Sequence, residues 1–252
     1  MTAPFLEVCN VRKAFGHFVA VDDVSLAIRE GDLTALIGPN GAGKTTLYNM
    51  VSGRLKPTSG SVSFRGADIT GMPPHRIAKL GISRSFQITN IFNELTVLEN
   101  VQVALLAHHN KGLNLWQVSA RDKELEEQGL GLLAELGLES LARARAGTLS
   151  HGDKRLVELA IVLTTEPKLV LLDEPTAGMT PEETRAVMSL IKGLADTGPY
   201  TFFLTEHDMD VVFGLAQRIF VMHRGELLAD GTPEEIKNDP AVRTAYLGEE
   251  VR

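Results

Sequence analysis

With 252 residues, 44% of them hydrophobic, the chain is long enough to bury a substantial core as one domain or a domain with a subdomain. A formal net charge of −7 argues against a sequence-independent grip on nucleic acid, which needs basic surface to displace counterions, and disfavours unaided binding to anionic lipid. The single cysteine, Cys9, cannot close an intrachain disulfide, no stretch reaches the roughly 18 apolar residues of a membrane helix, and Met1 to Lys13 lacks an apolar signal core, so the expectation is a cytoplasmic protein whose membrane role is peripheral.

In chain order, Phe5 to Val11 and Val24 to Ile28 alternate and predict half-buried strands, and the continuous apolar run Leu33 to Ile37 predicts a strand covered on both faces. That strand enters a glycine-rich turn, and a helix is predicted from Thr45 to Ser52. Further strands are predicted at Ser61 to Phe64, Leu169 to Leu172, Tyr200 to Thr205 and Arg218 to Met222, the last turning at His223-Arg224-Gly225 into Glu226 to Ala229. Thr96 with Glu99, Thr180 with Glu183 and Thr232 with Glu235 each fit a helix N-cap answered by an acid three residues on. Val187, Leu190, Ile191 and Leu194 then recur at helical spacing. Between about Ile88 and Pro167 the strand signal is lost and helices are predicted, with Arg121 to Glu127 charged ahead of Leu132, Leu133 and Leu136. The adjacent His108 and His109 have no partner ligands nearby and read as a solvated helix end. The pattern predicts an α/β core carrying an all-helical insertion.

Gly38-Pro39-Asn40-Gly41-Ala42-Gly43-Lys44-Thr45 fits G-x-x-x-x-G-K-[ST], with the buried strand before it and the helix after it that the motif requires. Glycines let backbone N–H groups curl around phosphates, the helix presents its positive end with Thr46 in the first turn, and Lys44 offers a point charge. Thr45 offers a hydroxyl to Mg²⁺. Downstream, Leu169-Val170-Leu171-Leu172 ends abruptly in Asp173 and Glu174. At the C-terminal end of a strand in an open sheet, these acids are expected to divide their labour: Asp173 would hold Mg²⁺ through its water shell and Glu174 would serve as general base for attacking water.

Many nucleotide-hydrolysing proteins share both motifs, so the class turns on Leu149-Ser150-His151-Gly152-Asp153. This segment resembles the Leu-Ser-Gly-Gly-Gln signature of ABC ATPases, and Ser150 reads as the N-cap of a helix running to about Glu166. The resemblance covers essentially the whole chain in the right order, and it implies the roles of four further positions. Phe15, before Gly16, sits where the family stacks an aromatic ring on adenine; Gln87, in Ser85-Phe86-Gln87, matches the loop glutamine that contacts Mg²⁺ and the attacking water; His207, in Thr205-Glu206-His207-Asp208, matches the switch histidine on the γ-phosphate; Ser150 and Gly152 match the signature groups that meet a phosphate. His151 and Asp153 depart from the usual signature, and Ala177-Gly178-Met179-Thr180 replaces the usual Ser-Ala-Leu-Asp, so the aspartate that communicates across the dimer is missing.

The resemblance implies a P-loop NTPase core of the ABC ATPase type with an N-terminal antiparallel β subdomain and an inserted helical subdomain, residues 1–87 and 168–252 forming the core and about 88–167 the insertion. It implies ATP and Mg²⁺ as cofactors, a head-to-tail pairing with a second ATPase subunit (itself or a paralogue), transmembrane permease partners, indirect service to a solute-binding protein, and a place on the inner face of the plasma membrane. Ser83-Arg84-Ser85-Phe86-Gln87, the Ala177 to Glu183 turn and the ending Tyr246-Leu247-Gly248 are similar to ATPases of branched-chain amino-acid importers. Urea importers share the Leu-Ser-His-Gly start of the signature, which leaves the cargo open between the two. Soluble ABC ATPases acting on ribosomes or DNA form a third class, but they carry fused cassettes or long coiled coils and basic surface, none of which is predicted here.

Overall fold

In the computed structural model, residues 4–85, 91–108, 118–206 and 208–247 are described. Strands β1 (Leu6–Phe15) and β2 (Phe18–Ile28) form a hairpin, followed by β3 (Leu33–Ile37), helix α1 (Lys44–Val51), β4 (Ser59–Phe64), the short β5 (Ala67–Asp68), α2 (Pro74–Lys79) and β6 (Ile82–Arg84). Helices α3 (Val97–His108), α4 (Val118–Glu135) and α5 (His151–Leu163) come next. The chain then returns through β7 (Leu169–Asp173), α6 (Pro181–Thr197), β8 (Thr201–Thr205), α7 (Met209–Leu215), β9 (Arg218–His223), β10 (Glu226–Gly231), α8 (Pro233–Asn238) and α9 (Pro240–Leu247).

The chain divides into two compact units, the first comprising Met1–Arg84, Lys168–Pro175 and Ile191–Arg252, the second Ser85–Pro167 and Thr176–Leu190. The first unit holds both sheets. One is antiparallel with strand order β2-β1-β4-β5; the other runs β10-β9-β3-β8-β7-β6, parallel except for β10. Every residue of β3, β7 and β8 is buried, as a strand covered on both faces requires. β2 starts six residues earlier than the predicted Val24, at Phe18. The reason is local: Asp22 and Asp23 interrupt the apolar alternation, Asp23 takes a left-handed φ of 52°, and the register against β1 slips there. Apolar residues of both sheets and α1 share one core, with the Tyr48 and Phe203 rings 4.9 Å apart at its centre.

The second unit is helical, with α3, α4 and α5 packed on one another. Gly129 of α4 lies so close to α3 that an added Cβ would come within 2.8 Å of Leu98 Cδ1. Buried Asn100 fastens the approach to α3, donating to the Phe92 and Thr96 carbonyls at 3.1 and 2.9 Å and accepting from the Phe92 N–H at 2.7 Å. Thr176–Leu190, expected with the catalytic core, groups with this helical unit. The Gly152 N–H at the start of α5 donates to Glu183 Oε1 at 3.4 Å, which joins that turn to α5. All three sequence-read N-caps form: Glu99, Glu183 and Glu235 accept from the Thr96, Thr180 and Thr232 N–H groups at 2.7, 3.0 and 2.7 Å, and the threonine hydroxyls accept in return.

Candidate nucleotide site

Within the first unit, β3 delivers the chain into a loop that α1 closes, and the loop curls because its glycines permit it. Gly43, the N-cap of α1, sits at φ 101°, and a Cβ there would lie 2.5 Å from the Ala20 carbonyl oxygen. The loop walls a cavity of about 230 Å³ lined by Phe18, Ala20, Asn40, Gly41, Ala42, Gly43, Lys44, Thr45, Thr46 and Glu174. Its floor is therefore the N-terminal end of a helix, where N–H groups lack intrahelical carbonyl partners and suit an anion.

Lys44 is only 6% exposed and folds back on its own loop, its Nζ donating to the Gly38 and Pro39 carbonyls at 2.6 and 3.1 Å. Burial lowers its pKa, and the negative charges of Glu174 and Asp173 oppose that shift. A cation held by neutral carbonyls beside a concave row of N–H groups fits a polyanion, because phosphate oxygens are stronger partners for both. For a hard divalent cation the cavity offers the Thr45 hydroxyl, with Asp173 close to Lys44, oxygen donors of the kind Mg²⁺ prefers. Among the described residues no three His, Cys, Asp or Glu side chains cluster to hold a metal.

The two acids at the end of β7 occupy different environments. Asp173 is 2% exposed and gripped on both oxygens: Arg84 donates to Oδ2 at 2.6 Å and the Thr205 hydroxyl to Oδ1 at 2.8 Å. Glu174 lines the cavity at φ 48°, an uncommon conformation for this residue type; its N–H is shared between the carbonyl and hydroxyl oxygens of Thr205, both at 3.1 Å. Sequence reasoning assigned no chemistry to Arg84 or Thr205, since their partners become visible only once β6, β7 and β8 are known neighbours.

Phe15 is 47% exposed at the hairpin tip with the Lys13 ammonium 5.2 Å from its ring centre, but it is Phe18 that lines the cavity. The two face each other across the Gly16-His17 turn as register partners, so they share one face of the hairpin. Phe18 was missed because its pairing depends on where β2 begins. Gln87 and His207 lie outside the described residues.

Ser150 and Gly152 belong to the second unit. Ser150 caps α5, accepting from the Asp153 N–H at 3.1 Å while its hydroxyl donates to Asp153 Oδ2 at 2.9 Å. Hydrogen bonds from the Thr180 and Gly152 N–H groups hold the Glu183 carboxyl below its ordinary range. Carboxylates of Asp153 and Glu183 thus occupy the donors that the resemblance assigns to a phosphate.

The comparisons agree with this architecture. Residues 21–177 match the family model for the ABC transporter domain, and residues 226–252 match one for a branched-chain amino acid ATP-binding cassette transporter. The chain is similar to the high-affinity branched-chain amino acid transport ATP-binding protein LivG of Salmonella typhimurium, 41% identical over 99% of this chain and all of LivG. A crystal structure of the ADP conformation of an ATP-binding cassette of an ABC transporter superposes with TM-score 0.86 at 35% identity, covering 98% of this chain and 100% of that one. A dimeric ATP-binding cassette in a post-hydrolysis state bound to ADP and Pi superposes at 0.75 with 27% identity, covering 90% of this chain and 98% of that one. The chain belongs to the ABC transporter family, as one of its ATP-binding cassettes.

Proposed function

We propose that this cassette is the ATP-hydrolysing motor of an importer for branched-chain amino acids, working in a head-to-tail dimer beneath separate permease subunits at the inner face of the plasma membrane. The observation that carries the motor reading is one cavity in which Lys44, the amides of the glycine loop and the Glu174 carboxylate converge. Support for the cargo comes from the likeness to LivG and the match over residues 226–252.

Backbone N–H groups of Gly41, Gly43 and the first turn of α1, with the Lys44 ammonium, bind and orient the ATP phosphates, and Phe15, with Phe18 beside it, stacks on adenine, worth about 1–3 kcal/mol per base. A bound Mg²⁺ would supply neutralising charge to the phosphates, and the Thr45 hydroxyl, Asp173 through water, and Gln87 would hold it. Glu174, fixed by Thr205 at its N–H, accepts the proton of a water in line with the γ-phosphate, and His207 donates to that phosphate. Ser150 and Gly152 of a second cassette close over the same phosphate, exchanging their bonds to Asp153 and Glu183 for it. The helical unit is the signature subdomain, and the segment Ile88 to Val97, whose first three residues lie outside the described residues, is where a permease helix would dock. The second cassette is a copy or a paralogue, and a solute-binding protein delivers the cargo.

Uptake of labelled leucine, isoleucine, valine, other amino acids and urea tests this in cells lacking the chain and in cells restored with the normal or Glu174→Gln form. Loss of leucine-type uptake rescued only by the normal form supports the reading. A fall in urea uptake alone redirects the cargo, and no change in any uptake overturns the importer role.

A further inference from the structure

Arg84 closes the edge strand β6 and spends its guanidinium on three partners at once. One terminal nitrogen donates to Asn49 Oδ1 at 2.7 Å and Ser52 Oγ at 3.1 Å on α1; the other donates to Asp173 Oδ2 at 2.6 Å. Its carbon lies 5.7 Å from the centre of the Tyr48 ring, and the side chain is 9% exposed. One residue thereby ties the helix that follows the phosphate loop to the carboxylate at the end of β7. Burying an arginine so completely is unfavourable unless every contact is well made, and here charge, hydrogen bonds and ring face are all matched.

We propose that Arg84 is a positioning residue that makes Asp173 an indirect, water-mediated holder of the nucleotide's divalent cation and so sets which cation the site accepts. The proposal rests on the ATPase reading above. A carboxylate has about four lone-pair sites, about two per oxygen. Among the described residues Arg84 takes one on Oδ2 and Thr205 one on Oδ1, leaving each oxygen one site and fixing the plane of the group from both sides. The guanidinium also cancels the negative charge that would draw a metal into direct contact. What remains suits hydrogen bonds from metal-bound water. Mg²⁺ gives up its water reluctantly and is served by such a group, whereas Ca²⁺ seeks direct oxygen ligands, about six to eight of them. Arg84 therefore favours Mg²⁺ by denying Ca²⁺ the bare carboxylate.

Two variants separate charge from bracing: Arg84→Gln, neutral but still able to donate, and Arg84→Lys, which keeps the charge. In the Glu174→Gln background with ATP bound, Mn²⁺ affinity is read by electron paramagnetic resonance, and Mg²⁺ and Ca²⁺ by displacement of Mn²⁺. Removing a positive charge this close is expected to tighten Mn²⁺ binding on the order of tenfold and to narrow the Mg²⁺ over Ca²⁺ preference, while Arg84→Lys stays within a few-fold of normal. In the Glu174 form, Arg84→Gln is expected to lower the KM for Mg²⁺ and kcat together, a split that simple loss of stability does not produce. Equal effects in both variants, or metal binding weakened in step with the melting temperature, would reduce Arg84 to a structural brace and overturn the proposal. Binding of a fluorescent ATP analogue in EDTA, unchanged by either variant, marks the site itself as sound; a normal chain that fails to bind it overturns the ATPase reading and this proposal with it.

Discussion

Replacing Lys44 by Met separates what the ammonium does for the fold from what it does for ATP. In the free protein Nζ is bonded to the Gly38 and Pro39 carbonyls, and burial already opposes its charge. The ligand-free variant is therefore expected to unfold within about 1 kcal/mol of normal, because a desolvated cation is lost along with its modest hydrogen bonds. The loss appears on binding. A hydrogen bond to a charged group contributes about 1.5–3 kcal/mol, so losing about 3 kcal/mol in all raises the Kd for ATP on the order of a hundredfold. At ATP about 100 times the normal Kd, the normal protein gains about 2.7 kcal/mol of stability and the variant about 0.4. With roughly 2–4 °C per kcal/mol for a chain of this size, ATP should raise the normal Tm by about 5–11 °C and the variant's by about 1–2 °C. Thermal unfolding with and without ATP, with metal withheld to prevent turnover, makes the comparison. Equal ATP-induced shifts in the two proteins would refute the role given to Lys44.

Gly43→Ala forces a side chain into a left-handed conformation against the Ala20 carbonyl, which should cost about 1–3 kcal/mol in denaturant unfolding and abolish binding of the ATP analogue. Unaltered unfolding would mean that the loop is not held as described. Thr205→Val removes the donor to Asp173 and an acceptor for the Glu174 N–H; we expect about 1–3 kcal/mol of destabilisation, and slower turnover with ATP binding retained. Turnover at the normal rate would remove Thr205 from the account. Backbone hydrogen bonds from Thr96, Thr180 and Thr232, reinforced by the threonine hydroxyls, hold the Glu99, Glu183 and Glu235 carboxyls below the ordinary glutamate value of 4.5. Their contribution to stability is thus fully present above that value and lost as pH falls through the lowered folded ones. Melting profiles from pH 7 to pH 3, roughly, should be flatter below the ordinary glutamate value when all three are glutamine. An unchanged profile would show that the caps add nothing.

What the sequence disclosed was mostly local. The glycine loop, the abrupt Asp173-Glu174 end of an apolar run and the Thr-x-x-Glu caps each carry their geometry within a few consecutive residues, so residue type and spacing suffice. Arg84 shows the limit: it lies 89 positions from Asp173, in a strand of three residues, and the two meet only because β6 takes the edge beside β7. Phe18 stayed hidden for the related reason that acidic residues break the alternation of its strand. Thr176–Leu190 reads as an ordinary turn and helix start, and its place with the helical unit, where it meets the start of α5, shows only in the folded chain.

The most direct test of the account is ATP turnover and assembly of the normal and Glu174→Gln proteins, measured together by phosphate release and size-exclusion chromatography with ATP and Mg²⁺. The account predicts that the variant binds ATP normally, loses turnover on the order of a hundredfold or more, as removal of a general base implies, and accumulates as a stable dimer. Undiminished phosphate release from Glu174→Gln would contradict it.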